Sequence, residues 1–74
     1  MGHSRDRFVR LAEARTSRLL KDIALLSNLS NRTNYSYSEE DVKKIFAALT
    51  AELKEAQTKF ETNLKSESKS QFKL

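Results

Sequence analysis

The 74-residue chain contains no cysteine, no proline and no tryptophan, and its one glycine is Gly2. Without cysteine there is no disulfide staple, no thiolate zinc site and no nucleophilic thiol. Without proline, and with glycine confined to position 2, the chain lacks the breakers that punctuate β-rich folds. It has no glycine-rich phosphate loop either, which excludes nucleotide hydrolysis by that route. A chain of this size buries only about 60% of its unfolded surface, so a large private core is out of reach. Small scaffolds without disulfide or metal depend on close helix packing or on a partner subunit.

Titratable chemistry is equally sparse. The single histidine, His3, stands at the N-terminus, where nothing nearby would anchor it for a Ser-His-acid triad. One histidine and no cysteine cannot assemble a zinc or transition-metal set within one chain. Glu39, Glu40 and Asp41 form an acidic cluster, but the Asp/Asn/Gly spacing of a calcium loop is missing, and they read as helix-capping acids. No enzymatic activity, metal or cofactor is expected.

No apolar run approaches the roughly 20 residues of a membrane span. The opening Met1-Gly2-His3-Ser4-Arg5-Asp6-Arg7 is polar and leads into no signal-peptide core. With the absence of cysteine, this leads us to expect a cytoplasmic protein. Asn28, Asn31 and Asn34 each begin a glycosylation tripeptide, which we read as chance matches in an Asn/Ser-rich stretch.

The formal charge is +4, and its distribution says more than its total. Residues 1–38 carry seven bases and three acids, residues 39–74 seven of each. All six arginines lie in the first half, whereas every lysine but Lys21 lies in the second. Arginine's planar fork suits phosphate and carboxylate, while exposed lysine mainly supplies solubility.

Hydrophobic periodicity predicts two helices. From Ser4 to about Leu26, the positions Phe8, Ala12, Thr16, Leu19, Ile23 and Leu26 share one face at close to heptad spacing. Ser4 is the expected N-cap, with Asp6 favouring the helix dipole. Residues 27–38 hold four serines and three asparagines, side chains that compete for backbone hydrogen bonds and favour turns. The second helix opens with Ser38 before Glu39, Glu40 and Asp41, a capping signature, and Tyr37 is placed to staple onto Val42. Val42, Phe46, Leu49, Leu53, Ala56 and Phe60 then repeat at 4-3-4-3-4 spacing, a heptad seam. The pattern predicts helix over about 39–65 and a flexible tail over 66–74.

The expected fold is therefore all-α: a two-helix antiparallel hairpin over residues 1–65, with helices at about 4–26 and 39–65 and a loop at 27–38. A hairpin covers each apolar stripe on one side only, so dimerisation into a four-helix bundle is expected. Leu19, Ile23, Val42, Phe46, Leu49 and Leu53 are the expected buried residues.

The sequence offers two functional candidates. On the first helix Arg7, Arg10, Arg18 and Lys21 cluster opposite the apolar seam, in a stripe roughly 20 Å long that could follow a phosphate backbone. Arg32 could reach a groove, and Arg15, nearer the seam, is expected to pair with Glu13, Asp22 or an acid of helix two. An ordinary solvated face is the competing reading. The 12-residue loop is too long for the turn of a helix-turn-helix, so little sequence selectivity is expected. The second candidate is the loop, where Asn31, Asn34 and Tyr35 gather hydrogen-bonding and stacking groups suited to docking on a partner protein. Alternatively the tyrosines fold back over the open end of the hairpin. Phe72 and Leu74 could form a short docking motif or an inert ending. The expected function is a nucleic-acid-binding accessory protein, the alternative a protein–protein adaptor or inhibitor.

Arg7-Phe8, Leu11-Ala12 and Arg15-Thr16, the loop from Asn28 through Asn31-Arg32 to Asn34-Tyr35, and then Tyr37 through Val42 and Lys44-Ile45-Phe46 together carry a resemblance. Over roughly residues 7–60 the chain resembles a group of small bacterial proteins associated with plasmids and integrative elements. That group has no assigned activity, so the resemblance implies a mobile-element setting and no functional residue.

Overall fold

The computed structural model describes the backbone of residues 2–70 and the side chains of residues 2–65. Its order is helix α1 (Gly2–Ser27), a 3-10 turn (Asn28–Ser30) and helix α2 (Glu39–Ser70), with no strand among the described residues. The protein is all-helical. The chain divides into two units, Met1–Ser36 and Tyr37–Leu74.

In the first unit, α1 is a continuous 26-residue helix, about 39 Å long at 1.5 Å per residue. Alanine, leucine and arginine, all strong helix formers, dominate it, and no proline interrupts it. The helix begins at Gly2, two residues earlier than the periodicity implies. Ser4 is thus inside the first turn rather than at an N-cap, and no acid occupies that turn. No breaker lies between Gly2 and Ser4, so the helix can begin before the apolar periodicity does.

The end of α1 is built from small polar side chains. Ser27 Oγ donates to the Ala24 carbonyl at 2.7 Å, taking one of the acceptors that a helix end leaves open. The backbone then tightens into the 3-10 turn Asn28–Ser30, which packs on the end of α1. At Asn31 the chain becomes extended, with φ −68° and ψ 103°. No described residue takes a positive φ, so this exit needs none of the left-handed conformations that usually call for glycine. That is how a segment without glycine ends a helix.

Asn31 also organises the turn after it. Its carbonyl accepts from the Asn34 N–H at 3.2 Å and the Tyr35 N–H at 3.0 Å, while its Oδ1 accepts from the Thr33 N–H at 2.9 Å. The last contact is an Asx turn, the competition with regular structure for which asparagine is favoured in loops. The expected loop 27–38 is in this way reduced to an irregular stretch of 31–38.

The second unit opens with the expected cap. The Asp41 N–H donates to Ser38 Oγ at 3.1 Å, and the Ser38 N–H donates to Asp41 Oδ2 at 2.9 Å. This reciprocal pair is a capping box with aspartate in the third helical position. The Val42 N–H donates to the Ser38 carbonyl at 3.2 Å and begins the regular ladder. Glu39, Glu40 and Asp41 all stand in the first turn, where the helix dipole favours negative charge. Near the far end, Asn63 Nδ2 donates back to the Lys59 carbonyl at 2.9 Å.

The helix α2 runs 32 residues, to Ser70 rather than to about residue 65. Loss of the apolar pattern after Leu64 removes a packing face. It does not introduce a breaker, and serine, glutamate and lysine continue the helix over 66–70. The remainder of the expected tail, including Phe72 and Leu74, lies outside the described residues.

Burial departs most from expectation. No described side chain is fully buried. Leu19 is 58% exposed, Ile23 48%, Phe46 51%, Leu49 41% and Leu53 70%, and Val42 at 36% is the best covered of the six residues expected in a core. The two seams are present as continuous faces of α1 and of α2. Among the described residues the half-buried positions are Val9, Leu11, Ala12, Leu26 and Tyr37.

Candidate nucleic-acid interface

Because α1 is unbroken from Gly2 to Ser27, its 100° rotation per residue fixes which side chains share a face. Arg7, Arg10, Arg18 and Lys21 fall within an arc of about 80°, on the side away from Phe8, Leu19 and Ile23. From Arg7 to Lys21 the rise is about 21 Å. All four are exposed, and among the described residues no ion pair ties any of them to a carboxylate. The helix therefore presents four cations along one line.

The stripe is not uniform. Asp6 and Glu13 lie one turn to either side of Arg10 and line, with Val9, Ala14 and Ser17, a shallow open depression along the same helix. Two acids beside one guanidinium lower the local potential there. Arg18 and Arg7 have fewer acidic neighbours at helical spacing. Arg5 lies on a different face, its guanidinium 5.9 Å from the Phe8 ring centre, where it covers the end of the apolar seam. Arg15 is exposed and makes no ion pair with Glu13 or Asp22 among the described residues.

The loop residues serve different purposes. Asn31 is committed to turn formation through both its carbonyl and its Oδ1, so its side chain is first a structural device. Sequence reasoning assigns it to recognition and misses this role, for which the Asn-Arg-Thr-Asn order is the available signal. Arg32 and Asn34 are exposed within the same turn. Tyr35 follows at 48% exposure, while Tyr37 beside the cap is half-buried.

Asp41, read as a capping acid, is engaged by the Ser38 N–H. No group of three histidine, aspartate or glutamate side chains converges as a metal site among the described residues. No helix among them is long and apolar enough to cross a membrane. Compared with protein-family models, with curated proteins and with solved structures, the chain shows no significant match.

Proposed function

We propose that the chain is a non-enzymatic helical protein that pairs its two helices as an antiparallel hairpin, dimerises into a four-helix bundle, and binds nucleic acid through the basic face of α1. The observation that carries this reading is the line of four exposed cations, Arg7, Arg10, Arg18 and Lys21, without a carboxylate partner among the described residues. Such a line can neutralise successive phosphates and release their counterions, which makes binding tight at low salt and weak at high salt. Contacts of this kind position a protein without reading bases. Arg32 in the turn would add a groove contact. The bacterial mobile-element setting suggested by the resemblance belongs to the same proposal, with a cytoplasmic duplex as the partner.

Fluorescence anisotropy with a random-sequence duplex, titrated between about 50 and 200 mM salt, tests it. Two four-cation stripes per dimer predict a log–log slope steeper than about −4. No binding at about 50 mM salt retires the reading, because screening is weakest there.

A second reading, a protein-docking module, is favoured by the exposure of Tyr35 beside Asn34 in a defined turn. Aromatic anchors dominate protein interfaces, so Tyr35→Ala would then cost more than removal of any single arginine. Retention of the same partners by that variant sinks this alternative.

A further inference from the structure

The seam of α2 matches itself when reversed. In chain order, the positions on its central line are Glu39, Val42, Phe46, Leu49, Leu53, Ala56, Phe60 and Asn63, spaced alternately by three and four residues. Antiparallel pairing with a second copy centred on Ala51 would set Val42 against Phe60, Phe46 against Ala56 and Leu49 against Leu53, each pair occurring twice. Every aromatic meets a smaller side chain. The polar Glu39 meets Asn63 at both ends, where the apolar run stops. We propose that α2 is the self-association helix of this protein and that it pairs antiparallel with α2 of a second copy in this register. The proposal rests on the dimer reading above and specifies the α2–α2 contact of that four-helix bundle, whose layers line the core that the α1 helices then close from the side.

The occupant follows from area and charge. Val42, Phe46, Leu49, Leu53 and Phe60 are 36, 51, 41, 70 and 60% exposed. With Ala56 they offer roughly 550 Å² on each copy, or about 1,100 Å² for the pair, near the lower bound of about 1,200 Å² for stable interfaces. The stems of Glu52 and Lys59 and the flanking Ile45, 39% exposed, extend the contact into that range. As far as Lys65, α2 is nearly charge-balanced, whereas α1 carries six bases against three acids, so two α1 helices brought together would repel. The seam of α1 is also interrupted by the polar Thr16 and the small Ala12.

Other arrangements match less well. Parallel and in register, Phe46 would meet Phe46 and Ala56 would meet Ala56, giving crowding in one layer and a gap in another. Sliding the antiparallel pair by one heptad toward the C-terminus would place Glu52 beside Lys59 of the second copy, an attractive contact. That slide also sets Phe46 against the polar Asn63 and carries Val42 past the end of the apolar run. An exposed ion pair contributes only about 0.2–1 kcal/mol, while burying a Val or Phe side chain contributes about 1.5–3 kcal/mol, so the apolar register prevails. Its cost is specific: at the two-fold axis Glu52 faces Glu52 of the second copy.

That juxtaposition supplies the test, on the full-length chain. Sedimentation equilibrium of Glu52→Gln should show a dimer about two- to threefold tighter than the parent at low salt, with the difference shrinking as salt rises. Because the protein has no cysteine, Glu52→Cys and Lys59→Cys each introduce one thiol at an exposed site. A short bis-maleimide should join two Glu52→Cys chains efficiently and two Lys59→Cys chains poorly. A dimer that Glu52→Gln weakens or leaves unchanged, or that fails to cross-link through Glu52→Cys, overturns this register and leaves the dimer reading standing. A chain that remains helical and monomeric at all concentrations overturns both.

Discussion

Truncation of Leu49 separates a chain that holds itself together from one that is held by its own copies. Leu49 is 41% exposed and lies on the heptad seam of α2. In an isolated helix, Leu49→Ala should be nearly neutral, because alanine is the better helix former by a few tenths of a kcal/mol. In a packed seam the same change leaves a cavity and costs about 2–5 kcal/mol per site. The assay is thermal unfolding followed by circular dichroism between about 1 and 100 μM. For the parent, each tenfold dilution of a dimer removes about 1.4 kcal/mol. For an assembly of two such chains this lowers Tm by about 3–6 °C. The variant should melt well below the parent at the highest concentration and converge with it on dilution, as both dissociate. A parent Tm that does not move over a hundredfold dilution, with Leu49→Ala lowered equally throughout, would refute the reasoning, since the hairpin of a single chain would then hold the seam without a second copy.

The cap, the turn and the basic face can each be tested by substitution. Ser38→Ala removes the acceptor of the Asp41 N–H and should cost about 1 kcal/mol, read as faster hydrogen exchange confined to the first turn of α2. Unchanged exchange there would mean that the capping box contributes nothing. Asn31→Ala deletes the Asx contact to Thr33 and should cost about 0.5–1.5 kcal/mol, with chemical-shift changes limited to the 31–35 turn in NMR spectra. Combined Arg10→Glu and Arg18→Glu should abolish duplex binding at about 100 mM salt while leaving the helical signal intact. Binding equal to that of the parent would remove the stripe from consideration.

Much of the local structure is legible in the sequence, because it depends on residues within a few positions of each other. The Ser38–Asp41 box and the Asn/Ser interruption are short-range signals, and each appears with the hydrogen bonds its chemistry implies. The helix ends expected at Ser4 and near residue 65 are both misplaced for one reason. Hydrophobic periodicity shows where a helix has something to pack, whereas the helix itself continues until a breaker or a competing side chain stops it. The 3-10 turn at Asn28–Ser30 is not foreseeable, since nothing in Asn-Leu-Ser distinguishes it from other turns. Burial is the least legible quantity. Periodicity establishes that Phe46, Leu49 and Leu53 share a face, but covering that face takes atoms that no local pattern specifies. The basic stripe is similar: membership of Arg7, Arg10, Arg18 and Lys21 in one face follows from helical geometry, while the ligand does not.

The two signals bounding the linker are both self-contained. The chain leaves α1 through contacts made by Ser27 and Asn31, and it enters α2 through contacts between Ser38 and Asp41. Neither set depends on how many residues separate it from the other. A flexible spacer can therefore be inserted at Ser36 without moving either helix boundary, and doubling a flexible connection costs only about 0.6 kcal/mol in closure entropy. Each half is in that sense a transplantable cassette with its own punctuation, and the spacing between the cassettes is free to vary without any change to the helices it joins.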